Sequence, residues 1–254
     1  ARWTRSLMFD GGMYRFSAGE TPAKPGRKAH LFGSGAIMTE VLRAQALLQA
    51  FGVAADVWSV TSYNELCREA LHVERANLLA GDSSARTEQT RPWVQQLLAG
   101  ESGVFVAASD YMKSLPLGIA SWVPGPYVVL GTDGYGLSES RADLRSWFEV
   151  SAEYIAWAAL AALHDTGAVS AEELQAAASA LGIDQYKPDP ASAGPATASG
   201  RSRGARLAAG PAKSGTSSAW NATRTTATSP SMSNPNPMNA SWRNAPDEEK
   251  SRPG

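Results

Sequence analysis

Apolar and polar positions alternate between two periods along the first 186 residues. Short runs rich in apolar residues fall at Ala29–Phe32, Val53–Val60, Val104–Ala108 and Tyr127–Leu130. Runs of this length, bounded by turn residues and rich in valine and aromatics, predict strands. Between them the period becomes helical. Ile37, Val41, Ala44, Leu48 and Phe51 recur at steps of three and four, and Gly52 follows as a stop. Ser62 and Glu65 form a Ser-x-x-Glu capping box, which predicts a helix to about Leu79. Gly81–Thr90 is a polar loop, Trp93–Leu98 a short helix, and Ser114–Val123 helical in part with Pro116 near its first turn. A glycine-rich loop, GTDGYG, follows at Gly131–Gly136. Three helices close the pattern. One opens at Ser140 and Arg141 and ends near Phe148. Another is capped by Ser151 and ends at Gly167. The last follows a second capping box, Ser170 and Glu173, and ends at Gly182.

Strands that alternate with helices at short spacing imply β-α-β units. The expected fold class is α/β: a mainly parallel sheet of about five strands with helices on both faces. Caps, periods and glycine stops agree with one another, as they do in chains that specify one fold. A structured region of this size buries roughly 70% of its chain surface, enough for an autonomous core.

Composition divides the chain. Residues 187–254 hold nine of the 15 prolines and carry nine Lys/Arg against four Asp/Glu, whereas residues 1–186 carry an acidic excess. Tracts such as TRTTATSPSMSNPNP offer too little apolar surface to offset the entropy of ordering. The expected layout is a leading segment over 1–28 that links to a missing upstream domain, an α/β domain over 29–190 and a low-complexity disordered tail over 191–254. Net charge over the whole chain is -1, so the basic footprint of nucleic-acid binding is absent. The single cysteine, Cys67, excludes an internal disulfide framework and a Cys-rich zinc site. The longest apolar run, Ile155–Leu163, is far short of the roughly 20 residues that cross a bilayer. No basic-then-apolar leader opens the chain, and its first residue is Ala1, which suggests a fragment or a processed product. The expected setting is cytoplasmic, with no nucleic-acid or membrane partner.

The candidate chemistry is sparse. Gly33-Ser34-Gly35 lies between a strand and a helix, where dinucleotide-binding folds place a phosphate loop, but the third glycine of that fingerprint is replaced by Met38. A tight turn explains it better. Cys67 and His72, five apart on one helix, do not face each other. His72-Val73-Glu74 lacks the Pro-Cys-x-x-Cys half of a zinc deaminase. Gly136-Leu137-Ser138-Glu139-Ser140 lacks the second glycine of a nucleophile elbow. Asp110 and Asp133 follow strands, at the carboxyl ends where α/β folds place ligand groups, though Asp133 also suits an Asp-Gly turn. Arg141 opens a helix, where the dipole disfavours a cation, so it needs another reason, and a carboxylate such as Asp133 or Glu139, or one on a neighbouring domain, is a candidate. Asp110, Asp133, Tyr135, Ser138 and Arg141 are therefore candidate interface residues. No catalytic, cofactor or metal residue is assigned.

Several segments resemble one family. Asp56–Ala70 (DVWSVTSYNELCREA), Ala108–Lys113 (ASDYMK), Trp122–Tyr127 (WVPGPY), Leu130–Val150 (LGTDGYGLSESRADLRSWFEV) and Gly182–Pro190 (GIDQYKPDP) are similar to the C-terminal domain of the homodimeric pyruvate dehydrogenase decarboxylase component, in the same order and spacing. The likeness runs from about Gly12 to Pro190. It departs in the segment after Leu79, where the family is His-Pro-rich and acidic, and beyond Pro190. The resemblance implies a transketolase-type third domain of a thiamine diphosphate and magnesium enzyme. That enzyme decarboxylates pyruvate and acetylates the lipoyl group of a partner dihydrolipoyl acetyltransferase. The motifs that hold cofactor and substrate lie upstream in the family, so this part is expected to serve structure and homodimer formation with the missing domains, and to be inactive alone. A free-standing α/β binding module with a partner-binding tail is the alternative reading.

Overall fold

The computed structural model describes residues 11–80, 91–134 and 136–192. Five strands form one sheet: β1 (Met13–Ser17), β2 (Lys28–Gly33), β3 (Ala54–Val60), β4 (Val104–Ala108) and β5 (Tyr127–Leu130). Their order across the sheet is β1-β3-β2-β4-β5. All neighbours are parallel except β1, which runs antiparallel to β3 at the edge. Seven helices are described: α1 (Met38–Ala50), α2 (Tyr63–Ala80), α3 (Trp93–Leu97), α4 (Ser114–Leu117), α5 (Arg141–Trp147), α6 (Ala152–Asp165) and α7 (Ala171–Leu181).

Strands buried on both faces explain the unbroken apolar runs. Successive side chains alternate between two cores. Ala29, Leu31, Val57, Val104 and Val106 point to the face covered by α1, α6 and α7. Phe32, Trp58, Phe105 and Ala107 point to the face covered by α2 and α3. The expected α/β sheet with helices on both faces is the fold observed. No helix among the described residues is long and apolar enough to cross a membrane.

Two details differ from the sequence reading. Within the expected leading segment, described residues join the domain. Met13–Ser17 complete the sheet as β1, and Arg27 is buried, donating to the Ala168 and Phe51 carbonyls and pairing with Glu173 at 2.5 Å. Ser151 occupies the N-cap of α6, but its side chain makes no capping bond. The cap is Glu40, from α1, whose carboxylate accepts the Ala152 N–H at 3.0 Å. The polar loop expected at 81–90, and all but the first two residues of the expected tail 191–254, lie outside the described residues. The second capping box is complete: Ser170 and Glu173 satisfy each other's backbone N–H groups, and Gly182 closes α7 at φ 66°.

Candidate functional site

The chain reverses direction across the sheet between β2 and β4, because β3 lies on one side of β2 and β4 on the other. In open α/β sheets the crevice outside the carboxyl ends of the strands at such a point is where ligands bind. Here that crevice is a cavity of about 350 Å³. Ile37, Leu137, Leu144, Phe148 and Val150 supply apolar walls, and Asp110, Thr132 and Arg141 polar ones. At its root the Ser34 hydroxyl donates to the buried Ser109 hydroxyl at 3.1 Å, joining the ends of β2 and β4. Ser109 Oγ also accepts the Tyr111 N–H at 3.1 Å.

The loops around the crevice are stitched together. Thr132 donates through its N–H to the Tyr111 carbonyl at 3.0 Å and through its hydroxyl to the Asp110 carbonyl at 2.7 Å. The Lys113 N–H donates to Asp133 Oδ1 at 3.3 Å. A side chain at Gly131 would meet the Tyr111 carbonyl oxygen at 2.7 Å, so only glycine admits this approach. Asp133 is thus a loop fastener. Tyr111 and Met112 are left exposed on the fastened tip.

Arg141 lies on the cavity wall and is exposed, and among the described residues no carboxylate pairs with it. The expected local partners Asp133 and Glu139 do not meet it. Asp110 and Ser138 are also exposed, and Tyr135 lies outside the described residues. Sequence reasoning missed the buried charge beside the crevice. Glu40 accepts from Arg145 at 2.8 Å, from Arg43 at 2.9 Å and from the start of α6. Arg145 in turn donates to the Ala36 carbonyl at 3.3 Å.

Gly33-Ser34-Gly35 is a turn, as expected. A Cβ at Gly33 would stand 2.5 Å from the Met38 sulfur, so this glycine makes room for a thioether. Cys67 and His72 make no pair: Cys67 is half-buried, close to Gly118, and His72 is exposed.

A second polar cluster sits at the opposite, amino end of the sheet. His30, Asp56 and Glu101 are the one group among the described residues whose atoms converge as metal ligands could, within 4.8 Å of one another. Their donors are already committed. Lys28 Nζ lies 3.3 Å from Asp56 and 2.9 Å from Glu101, and Arg15 pairs with both carboxylates. His30 Nδ1 accepts from the Trp58 indole at 3.3 Å, and Nε2 lies 3.1 Å from the Ser102 carbonyl. That fixes a neutral ring with its proton on Nε2. Two fixed cations among three ligands oppose a metal ion, and the oxygen set that magnesium and a diphosphate require is not assembled here. Burial pushes the Asp56 carboxyl up, but the Gly19 N–H, Lys28 and Arg15 outweigh it and hold it below the usual value.

Burial lowers the His30 pKa from 6.5 to about 4, despite its bond to Ser102. Between those values the unfolded chain binds a proton that the folded one refuses. Stability therefore falls as pH drops from about 6.5 to 4 and is flat above that range, the full gap being worth about 3 kcal/mol at most. Urea midpoints from pH 7.5 down to 4.5 should show this decline, and His30→Gln should flatten it. An unchanged slope in the variant would assign the decline to other groups.

Comparison with known proteins gives three findings. A family model described as the transketolase-like TK C-terminal domain matches residues 12–151. The pyruvate dehydrogenase E1 component of Pseudomonas aeruginosa is 41% identical over 181 residues, covering 70% of this chain and 20% of that protein. The E1 component of Mycolicibacterium smegmatis is 40% identical over 183 residues, covering 72% and 18%. The chain thus spans about a fifth of the length of the curated relatives it matches. Among solved structures, transketolase from Leishmania mexicana superposes with a TM-score of 0.41 at 15% identity, over 61% of this chain and 18% of that one.

Proposed function

Because this chain belongs to the transketolase-like C-terminal domain family, we propose that it works as the third domain of a pyruvate dehydrogenase E1 component and serves architecture there. The observation that carries this reading is the match to E1 components at about 40% identity over 181 and 183 residues, more than the family model spans. In the whole enzyme the reaction is the decarboxylation of pyruvate with thiamine diphosphate and magnesium, followed by acetylation of a lipoyl group on the partner acetyltransferase. The setting is cytoplasmic and the enzyme a homodimer. This domain supplies none of the reacting groups. Its strand-end rim, with Asp110, Asp133, Ser138 and Arg141, faces a neighbouring domain or subunit. Two features support that orientation: the Arg141 guanidinium, which no carboxylate among the described residues pairs, and a hydrogen-bonded tip presenting Tyr111 and Met112. Rigid aromatic and cationic side chains are what interface centres favour.

The test is titration of this chain with magnesium and thiamine diphosphate, with carbon dioxide release from pyruvate measured alongside. No saturable heat and release at the buffer blank are expected. Micromolar binding, or turnover by the chain alone, would overturn the architectural reading. In the complete enzyme, Arg141→Ala should weaken subunit or domain association by roughly tenfold while leaving the domain's melting temperature within a degree or two. Equal effects on both would remove the rim from the interface.

A further inference from the structure

The segment after α7 crosses back over the domain and fastens two elements that have little burial of their own. Helix α5 is seven residues long and has no fully buried residue. Its C-terminal carbonyls are capped by a lysine from 40 residues downstream: Lys187 Nζ donates to Ser146 O at 2.7 Å and to Trp147 O at 2.5 Å. The ammonium also stands over the rings of Tyr154 and Trp147, 4.7 and 5.5 Å from their centroids. A cation at the end of a helix is favoured by the dipole, and over aromatic faces by their quadrupole.

The helix terminus carries strain that this lysine offsets. Glu149 takes the left-handed position where glycine ordinarily ends a helix, at φ 61°, and it is the one described non-glycine residue with positive φ. Its carboxylate lies 3.4 Å from Lys187 Nζ. Three residues on, Pro190 is buried, and its carbonyl would stand 2.3 Å from a Cβ at Gly134. The segment therefore touches both the end of α5 and the loop after β5, which are two walls of the strand-end crevice. Beneath it lies a cavity of about 590 Å³, bounded by Tyr154, Trp157, Leu174, Ile183 and Lys187. The segment is held by Ile183 against the core, by Lys187 and by Pro190, and residues 184–186 between the first two are exposed.

We propose that residues Ile183–Pro190 form a releasable clip that holds α5 and the loop after β5 as one cooperative unit, so that unclipping opens the strand-end crevice without unfolding the sheet. Lys187 is the positioning residue of this device, and Glu149 stores the strain that favours release. The clip acts within the domain, whether or not the crevice faces a neighbour.

Native-state hydrogen exchange on the full chain tests it. In Lys187→Ala, the amides of Leu144, Phe148 and Val150, and those of residues 131–134, should exchange at least tenfold faster. The amides of β2, β3, β4 and α6 should keep their rates. Adding Glu149→Gly to that variant should return the α5 amides several-fold toward the original rates, because glycine takes the left-handed position freely. Unchanged rates in Lys187→Ala would overturn the clip. So would equal acceleration in every element, since that would mean the lysine contributes only to global stability.

Discussion

Replacing Gly103 by alanine should cost the domain about 3 kcal/mol or more and lower its melting temperature by roughly 10 °C. Gly103 precedes β4 at φ +121°, and a Cβ there would stand 2.3 Å from the Lys28 carbonyl oxygen. Two costs combine. The backbone angle strains any L side chain, and the obstacle is backbone of the central strand, which cannot rotate away. The shift would also pull on Ser102, whose carbonyl is the partner of His30. Gly100→Ala is the matched control, with φ +80° and nothing within 4 Å of its Cβ, so it carries angular strain alone, about 1 kcal/mol. Chemical denaturation of both variants separates the terms. Equal losses would show that the close approach to Lys28 contributes nothing.

Glu40→Ala should be comparably damaging, at about 3–4 kcal/mol. The carboxylate is buried and satisfies Arg145, Arg43 and the first N–H of α6 together. Removing it leaves Arg145 without its carboxylate and the amino end of the most apolar helix without its anion. Glu40→Gln keeps an oxygen acceptor of the same size and loses the charge. It should cost about half as much. Because Arg145 and Phe148 line the crevice, the alanine variant should also loosen α5, visible as faster amide exchange there. A loss below 1 kcal/mol in Glu40→Ala would mean that Ser151 can take over the cap.

These two positions show what could be read in advance and what could not. The strands, their two-sided burial and the helix ends were legible because each is written in adjacent residues. VFVAA, Ser170 with Glu173, and Gly182 need no distant partner to be understood. β1 was missed because MYRFS buries only Met13 fully, and an edge strand shows little apolar pattern. Glu40 reads locally as one more charge on an amphipathic helix, since its partners lie 105 and 112 residues away. His30 sits in an apolar run and reads as core. Trp58, from the next strand, and the Ser102 carbonyl give it a tautomer. Asp110 and Arg141, which line the crevice, stand after a strand and at the start of a helix, places visible in the sequence, whereas Asp133 fastens the neighbouring loop. Lys187 was not legible, because the helix end it caps is defined only by folding.

The strand order has a consequence for how the chain comes together. β2 with β3, and β4 with β5, are each joined by about 20 residues, whereas β2 and β4 are separated by about 70, a difference that adds only about 1 kcal/mol of closure entropy. The domain is thus two short-range halves, each a parallel pair with its own crossover, meeting along the line between β2 and β4. That line is the seam of the fold. The Ser34–Ser109 bond and the crevice both lie on it, so the crevice takes shape only when the two halves of the sheet meet.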